Sequence, residues 1–400
     1  MNVIDPSRRQ VLPWSDPAYV ADPYPWYDRA RREYPVYRDT DGTFVITRYD
    51  DVMKYGKTAS LSIVDPDWVP KGAWAALSNT VLGIDPPEHT RMRRLGNKWF
   101  TPKLCKRWSE GAERAVRDYI AGLQDGEVFD ANMYLGVGPS HVAMCMALGF
   151  PEDDFEPAIF SMHKTMSALS AVAGPDHDKA AAEAFAYIRA RVEKMLDDKR
   201  ADPGDGMADA LLALEAEGEL SSDEVIETLM LFWASGGHNP SYIIGSSIEY
   251  FARNPEIWDI YRNEPEKRAA FINEIHRLYP PELSFARWTQ EPMEIHGQQI
   301  AVGERVKFII DAANRDPEVF PEADAMVLDR PKGAAMHMSF GMGPHQCAGQ
   351  IISRTEVETV LGTLAELVER FEMKGEPEMD NTDRSRAYVR LPVSIVKRSA

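Results

Sequence analysis

Apolar residues recur at three- and four-residue spacing through residues 107–123, 178–200, 222–253, 265–279 and 350–370, the periodicity of amphipathic helices. Strict alternation is confined to shorter runs. Val36 to Tyr49 reads as two strands around an Asp41-Gly42 turn, and Met293 to Ile310 gives further short strands around Gly297 and Gly303. The pattern predicts a fold that is mainly α with small β-sheets. Ser221 and Glu224 form a capping-box pattern, after which apolar character runs to about Phe251, long enough for a helix of ~45 Å. Such a helix would cross the whole domain. Gly236, Gly237 and Pro240 interrupt it, and a proline inside a helix removes the hydrogen bond to the carbonyl four residues earlier, here that of Gly236. A kink able to hold water or a ligand is expected there.

Length and composition narrow this picture. No linker, charge block or low-complexity tract divides the 400 residues, so a single domain over residues 1–400 is the simplest reading. Hydrophobic residues at 44% and charged residues at 27% are those of a folded globular chain, large enough to bury a cofactor. The first residues lack the apolar run of a signal peptide, and no stretch of about 18 apolar residues occurs, which predicts a cytoplasmic protein without a membrane span. A net charge of −18 supplies no basic footprint for nucleic acid or anionic membrane, leaving small molecules, short peptides and proteins as partners. Three scattered cysteines, Cys105, Cys145 and Cys347, predict reduced thiols rather than a disulfide framework.

One of those thiols stands in a distinctive setting. Phe340, Gly343, His345, Cys347 and Gly349 precede a periodic helix that begins near Gln350, placing Cys347 at a helix N-terminus. The helix dipole and free backbone N–H groups there favour a thiolate, the form that ligates metals. Gly343 and Gly349 would let the backbone turn tightly and approach a flat cofactor, and His345 would offer a cation or donor to an anionic group. Upstream, Glu274 and Arg277 share one helix face at three-residue spacing and can pair. The long irregular stretch from Ala313 through Arg330 to the cysteine is of the kind that is functional or held by buried polar groups.

On these residues the chain resembles the cytochrome P450 superfamily over nearly its whole length. Phe340, Gly343, His345, Cys347 and Gly349 match the haem-binding segment, with Cys347 as the implied iron ligand. Glu274, Arg277 and Arg330 are placed like the family's structural triad. His89 and Arg93, in the segment from Asp85 to Arg94, and Arg287 match residues that hold the haem propionates. Arg91 and Arg94 read as solvated. The resemblance implies a single-domain cytochrome P450 fold, heme b (iron protoporphyrin IX) as cofactor, and electrons from NAD(P)H through ferredoxin and ferredoxin reductase. Thiolate ligation favours cleavage of the dioxygen bond, so the implied activity is that of a monooxygenase. Docking of the electron donor is expected behind Cys347, with Lys332, Lys103, Lys106 and Arg107 as candidate cations.

The sequence departs from the family at the central helix. The acid and threonine that deliver protons to bound oxygen are replaced by Asn239 and Pro240, so delivery is expected through His238, Ser241, water or the substrate. Two reactions follow: hydroxylation with an altered relay, or phenol or aryl coupling without oxygen insertion. A haem-based sensor without turnover is the alternative from another class. Trp68, Trp74, Met162, Met166, Gly236, Gly237, Leu283, Ser284, Phe285 and Tyr388 fall where the family lines its substrate pocket and suggest an apolar or aromatic ligand. Each also reads as ordinary core.

Overall fold

In the computed structural model, which describes residues 8–66, 78, 80–152 and 174–398, the long central helix runs Ser222–Arg253. Its start is fixed as the sequence implies: Ser221 Oγ accepts from the Glu224 N–H (3.2 Å), and Glu224 Oε2 accepts from the Ser221 N–H (2.7 Å). The helix continues unbroken through Gly236, Gly237 and Pro240, so the expected interruption is a missing hydrogen bond rather than a break in the helix.

The other helices pack around it. Gly138–Leu148 and Pro175–Ala201 flank its first half, with Pro102–Gly122 packed outside Gly138–Leu148, and Phe100, Trp108, Met144, Phe185 and Trp233 are buried together there. Pro255–Asn263, Arg268–Leu278 and Gln350–Leu367 flank its second half. There Phe251 stacks on Phe271 at 4.5 Å and lies 4.8 Å from Trp258. Both clusters follow from the apolar stripes of helices whose outer faces are charged.

The small sheets also follow the sequence signals. Strands Val36–Arg38 and Phe44–Ile46 pair across the expected turn, where Gly42 has φ +95°. They join Arg305–Ile309, Ser284–Thr289 and Leu61–Ser62 in a five-stranded sheet. Gly297 and Gly303 likewise take positive φ between short strands. The expected helix over 350–370 instead ends at Leu367, and Val368–Met373 becomes a strand paired with Pro392–Lys397. Pairing of the alternating residues there overrides the helical period that precedes them.

The helix Gln350–Leu367 carries a buried acid. Ser140 Oγ meets two acceptors, the Gly136 carbonyl (2.9 Å) and Glu356 Oε1, but owns a single proton. The second hydrogen bond therefore needs a proton on Glu356, and burial pushes that carboxyl up to about 8. An unfolded glutamate ionises near 4.3. Between the two values the folded chain holds the extra proton, so this contribution to stability is full below the lower value and falls as pH rises through the window. Thermal melts at stepped pH should show Glu356→Gln gaining on the wild type from about pH 5 to pH 8. A pH-independent difference would count against a neutral Glu356.

Candidate active site

Cys347 lies between a 3₁₀ turn, Gly343–His345, and the helix that starts at Gln350. Its N–H donates to the Phe340 carbonyl at 2.8 Å, closing the loop that presents the thiol. Gly341 (φ +65°) and Gly343 (φ +68°) supply the tight turn, and at Gly343 a Cβ would also stand 2.9 Å from Lys57 Cα. Gly349 has an ordinary φ of −84°, so its role differs from the turn expected of it. A Cβ there would stand 3.5 Å from Ile352 Cγ2 and 3.9 Å from Cys347 Sγ, both ordinary contacts.

The thiol is accessible and yet surrounded by protein, as a side chain lining a recess would be. Burial raises its pKa, while the Gly349 N–H and the Arg93 guanidinium act in the opposite direction. The helix terminus thus works in the direction expected from the sequence but is outweighed by desolvation. A thiolate at this position needs a further positive charge, such as a metal ion.

Cations gather around the same recess. The helix Glu88–Asn97 brings in His89 and Arg93, the strand Ser284–Thr289 brings in Arg287, and the cysteine loop contributes His345. The His89 and His345 rings stand 4.0 Å apart, and Arg93 Nη2 donates to the Gln346 carbonyl at 2.6 Å. Burial lowers the pKa of His89, and Arg93 and Arg287 lower it further. Burial likewise takes His345 down to about 4, with help from His89 and Arg287, so at neutral pH it is not the cation that the sequence allowed, and its Nδ1–H is given to the Val81 carbonyl at 3.2 Å. Arg287 is pushed down to about 10 by burial, with Asp85 opposing the shift and Arg384 adding to it. Asp85 is itself occupied by the Ser62 hydroxyl and the Ile63 N–H (3.2 Å). The buried Nε2 of His89 has no hydrogen-bond partner. Such a cluster has Asp85 as its counter-charge and leaves a buried ring nitrogen unsatisfied, so it can take a further anionic ligand.

Behind the loop, Glu274 is clamped between two arginines. Arg277 donates through Nε (2.8 Å) and Nη2 (2.7 Å), Arg330 through Nε (3.0 Å), and the Val327 N–H completes the set (3.0 Å). Burial favours the neutral acid, but the arginines prevail and hold the carboxyl below its ordinary value. Arg277 also donates to the carbonyls of Asn314 (3.1 Å), Ala323 and Ala325 (2.8 Å), and Arg330 to that of Pro321 (2.9 Å). Asn314 then passes the restraint on: its amide donates to Ser339 Oγ (3.0 Å) and its Oδ1 accepts from the Met338 N–H (2.7 Å). The irregular stretch is therefore held by buried polar groups.

The profile of the family described as "Cytochrome P450" matches residues 34–396. The chain belongs to the cytochrome P450 family. It is a monooxygenase-type oxidoreductase, and the family implies haem and electrons supplied from outside. Erythromycin C-12 hydroxylase of Saccharopolyspora erythraea is 28% identical over 86% of this chain and 86% of that protein. Cytochrome P450-terp of a Pseudomonas species is 27% identical over 98% and 97%. The solved structure of epothilone D-bound cytochrome P450epoK superposes with a TM-score of 0.85 at 25% identity, covering 97% of this chain and 99% of that one. Among the described residues, no helix of this cytochrome P450 is long and apolar enough to cross a membrane.

On the central helix, His238, Pro240 and Ser241 are buried and Asn239 is half-buried. Ser241 Oγ donates back to the His238 carbonyl (2.7 Å), while the buried Asn239 Oδ1 has no partner. Gly237 is buried, and Gly236 faces a neighbouring helix: a Cβ there would come within 2.2 Å of Met144 Sδ. Leu283 and Ser284 are buried in or beside the five-stranded sheet. Phe285 stacks on Phe308 at 4.9 Å, and Tyr388 packs into the core against Tyr242. Trp68, Trp74, Met162 and Met166 lie outside the described residues. Arg91 is not solvated as the sequence suggested: it pairs with Glu88 and Glu224 and donates to the Glu219 carbonyl (2.8 Å), tying its helix to the start of the central helix. Arg94 is exposed. Asn314 and Glu356 carried no distinguishing sequence pattern, since each is defined by partners far away in the chain.

Removing one member of a buried ion pair leaves the other uncompensated, at a cost of about 3–5 kcal/mol. Arg277→Ala should lose stability of that order in urea denaturation. A loss under about 1 kcal/mol, the range of exposed pairs, would contradict the clamp.

Proposed function

We propose that Cys347 holds the iron of heme b (iron protoporphyrin IX) and that this cytochrome P450 hydroxylates a small, largely apolar or aromatic secondary metabolite. The observation that carries the cofactor assignment is the gathering of His89, Arg93, Arg287 and His345 beside Cys347, with the His89 Nε2 unpartnered. Two carboxylates on a flat ring would neutralise the buried arginines and satisfy that atom. Phe340 packs behind the loop, 5.1 Å from the His276 ring.

Thiolate-bound haem, once loaded, supplies the activation of dioxygen. The chain supplies the position and the protons. Pro240 gives no N–H to the Gly236 carbonyl, and Asn239 Oδ1 lacks a donor, so this turn presents two acceptors to a water or to a substrate hydroxyl. Such a molecule, together with the Ser241 hydroxyl and the His238 ring, replaces the missing acid and alcohol as the route by which protons enter. Hydroxylation is favoured by relatives such as the erythromycin C-12 hydroxylase. The second reading, coupling of phenols or aryl groups by removal of two hydrogens, draws on the absence of an acid at Asn239.

Electrons would come from NAD(P)H through ferredoxin reductase and a ferredoxin seated behind Cys347. Lys332, Lys103 and Lys106 are exposed and available to it, whereas Arg107 is engaged by Asp205 at 3.4 Å.

Turnover under ¹⁸O₂ with mass analysis of the product tests the reaction. Gain of one labelled oxygen atom is expected, and a product lighter by two hydrogens without label would replace hydroxylation by coupling. His238→Ala should slow turnover and change its solvent isotope effect. Unchanged values of both would remove His238 from the proton route.

A further inference from the structure

One helical turn beyond Asn239 and Pro240, two tyrosines occupy a setting that packing alone does not require. Tyr242 is buried on the central helix and stacks on Tyr388 with centroids 5.4 Å apart and planes 27° from parallel. The Tyr388 ring lies flat against the helix because residue 245 is glycine; a Cβ there would come within 3.0 Å of the ring. Tyr388 donates its phenol proton to Glu249 Oε2 at 2.7 Å. Glu249 is partly exposed, and its other oxygen accepts from Arg253 Nε at 2.8 Å, so the carboxylate is paired and in touch with solvent. Two other buried tyrosines are paired differently: Tyr19 donates to the Tyr27 hydroxyl and Tyr49 to a backbone carbonyl.

The chemistry of phenols gives the difference its meaning. A phenol that loses an electron becomes a strong acid, so a buried tyrosine is oxidised readily only where a base takes its proton in the same step. A carboxylate hydrogen-bonded to the hydroxyl is such a base, and a hydroxyl or carbonyl partner is not. The stacked Tyr242 ring extends the electronic contact of Tyr388 toward the turn that carries Asn239 and Pro240. Six residues separate Asn239 from Gly245, a rise of about 9 Å along the helix, so the tyrosine pair stands close to the proposed reaction centre.

We propose that Tyr388, with Tyr242 as the stacked intermediary and Glu249 as the proton acceptor, is a redox-active site that drains oxidising equivalents when no substrate is in reach. Haem, once bound and exposed to peroxide or a peracid, would supply two oxidising equivalents; Tyr388 would meet one of them by giving up an electron, and a first electron from the external donor would meet the other. The Tyr388 O–H bond breaks, its proton moves to Glu249, and a neutral phenoxyl radical remains. A second electron from the external donor, with the proton returned by Glu249, restores the phenol. The site diverts damage from the cysteine and the haem. The inference rests on the haem assignment above, though not on any substrate.

Rapid freeze-quench electron paramagnetic resonance tests it on the substrate-free ferric holoenzyme mixed with peracetic acid. Carbon monoxide spectra are first taken of each variant, so that a failure to bind haem is told apart from a failure of this proposal. The wild type should give a tyrosyl signal that narrows when the protein carries ring-deuterated tyrosine. Tyr388→Phe should lose most of it and bleach its haem faster per equivalent of peracid. Glu249→Gln, a change at a partly exposed position, should weaken the signal while Tyr388 stays in place. No tyrosyl signal in the wild type, or an equal signal in both variants, would overturn the proposal.

Discussion

A carboxylate enclosed by two guanidiniums cannot relax into water without leaving two buried charges behind. Glu274 is held in this way by Arg277 and Arg330, and the same guanidiniums spend their remaining N–H groups on the carbonyls of a stretch that has almost no secondary structure of its own. The two cations also lie over the face of Phe320, at 5.2 and 5.6 Å, so the clamp is packed as well as charged. From Arg277 the restraint passes through Asn314 to Met338 and Ser339, and from there to the loop closed by Phe340 and Cys347. A flexible loop would not hold a thiol at one place; this one is anchored to a helix.

The recess in front of the cysteine has the opposite character. Behind it the charges are matched; before it burial pushes His89, Arg93 and Arg287 toward the neutral form, the two arginines add to the shift of His89, and Asp85, the counter-charge of His89 and Arg287, is already occupied. An arrangement that is unfavourable on its own becomes favourable when a dianion arrives, which turns the strain into affinity for that ligand. The matched clamp and the unmatched recess together describe a protein that spends stability on holding a site ready for a charged cofactor.

Much of this was legible in the residues because it depends on short spacing. The cysteine segment, the Glu274 and Arg277 pair, the capping box at Ser221 and the turn glycines at 42, 297 and 303 are local patterns, and each lies where its pattern indicates. What was hidden depends on distant partners or on electrostatic balance. No local signal says that Arg91 reaches Glu224, that Asn314 joins the triad to the cysteine loop, or that Glu356 meets Ser140 and keeps its proton. The helix expected to reach residue 370 yields to a strand for the same reason, since its partner is Pro392–Lys397. Around the substrate the family position names a residue, but only packing decides whether it faces a cavity, as Gly236 against Met144 and Tyr388 in the core illustrate.

If Cys347, held by the Glu274 clamp, ligates haem iron as a thiolate, the iron carries a distinctive optical signature. The absorption spectrum of the reduced protein under carbon monoxide, taken for the wild type and for Cys347→Ser, tests it most directly. The wild type should show a strongly red-shifted Soret band that disappears in the variant. A Soret band of the histidine-ligated kind in the wild type, or one that survives in Cys347→Ser, would contradict it.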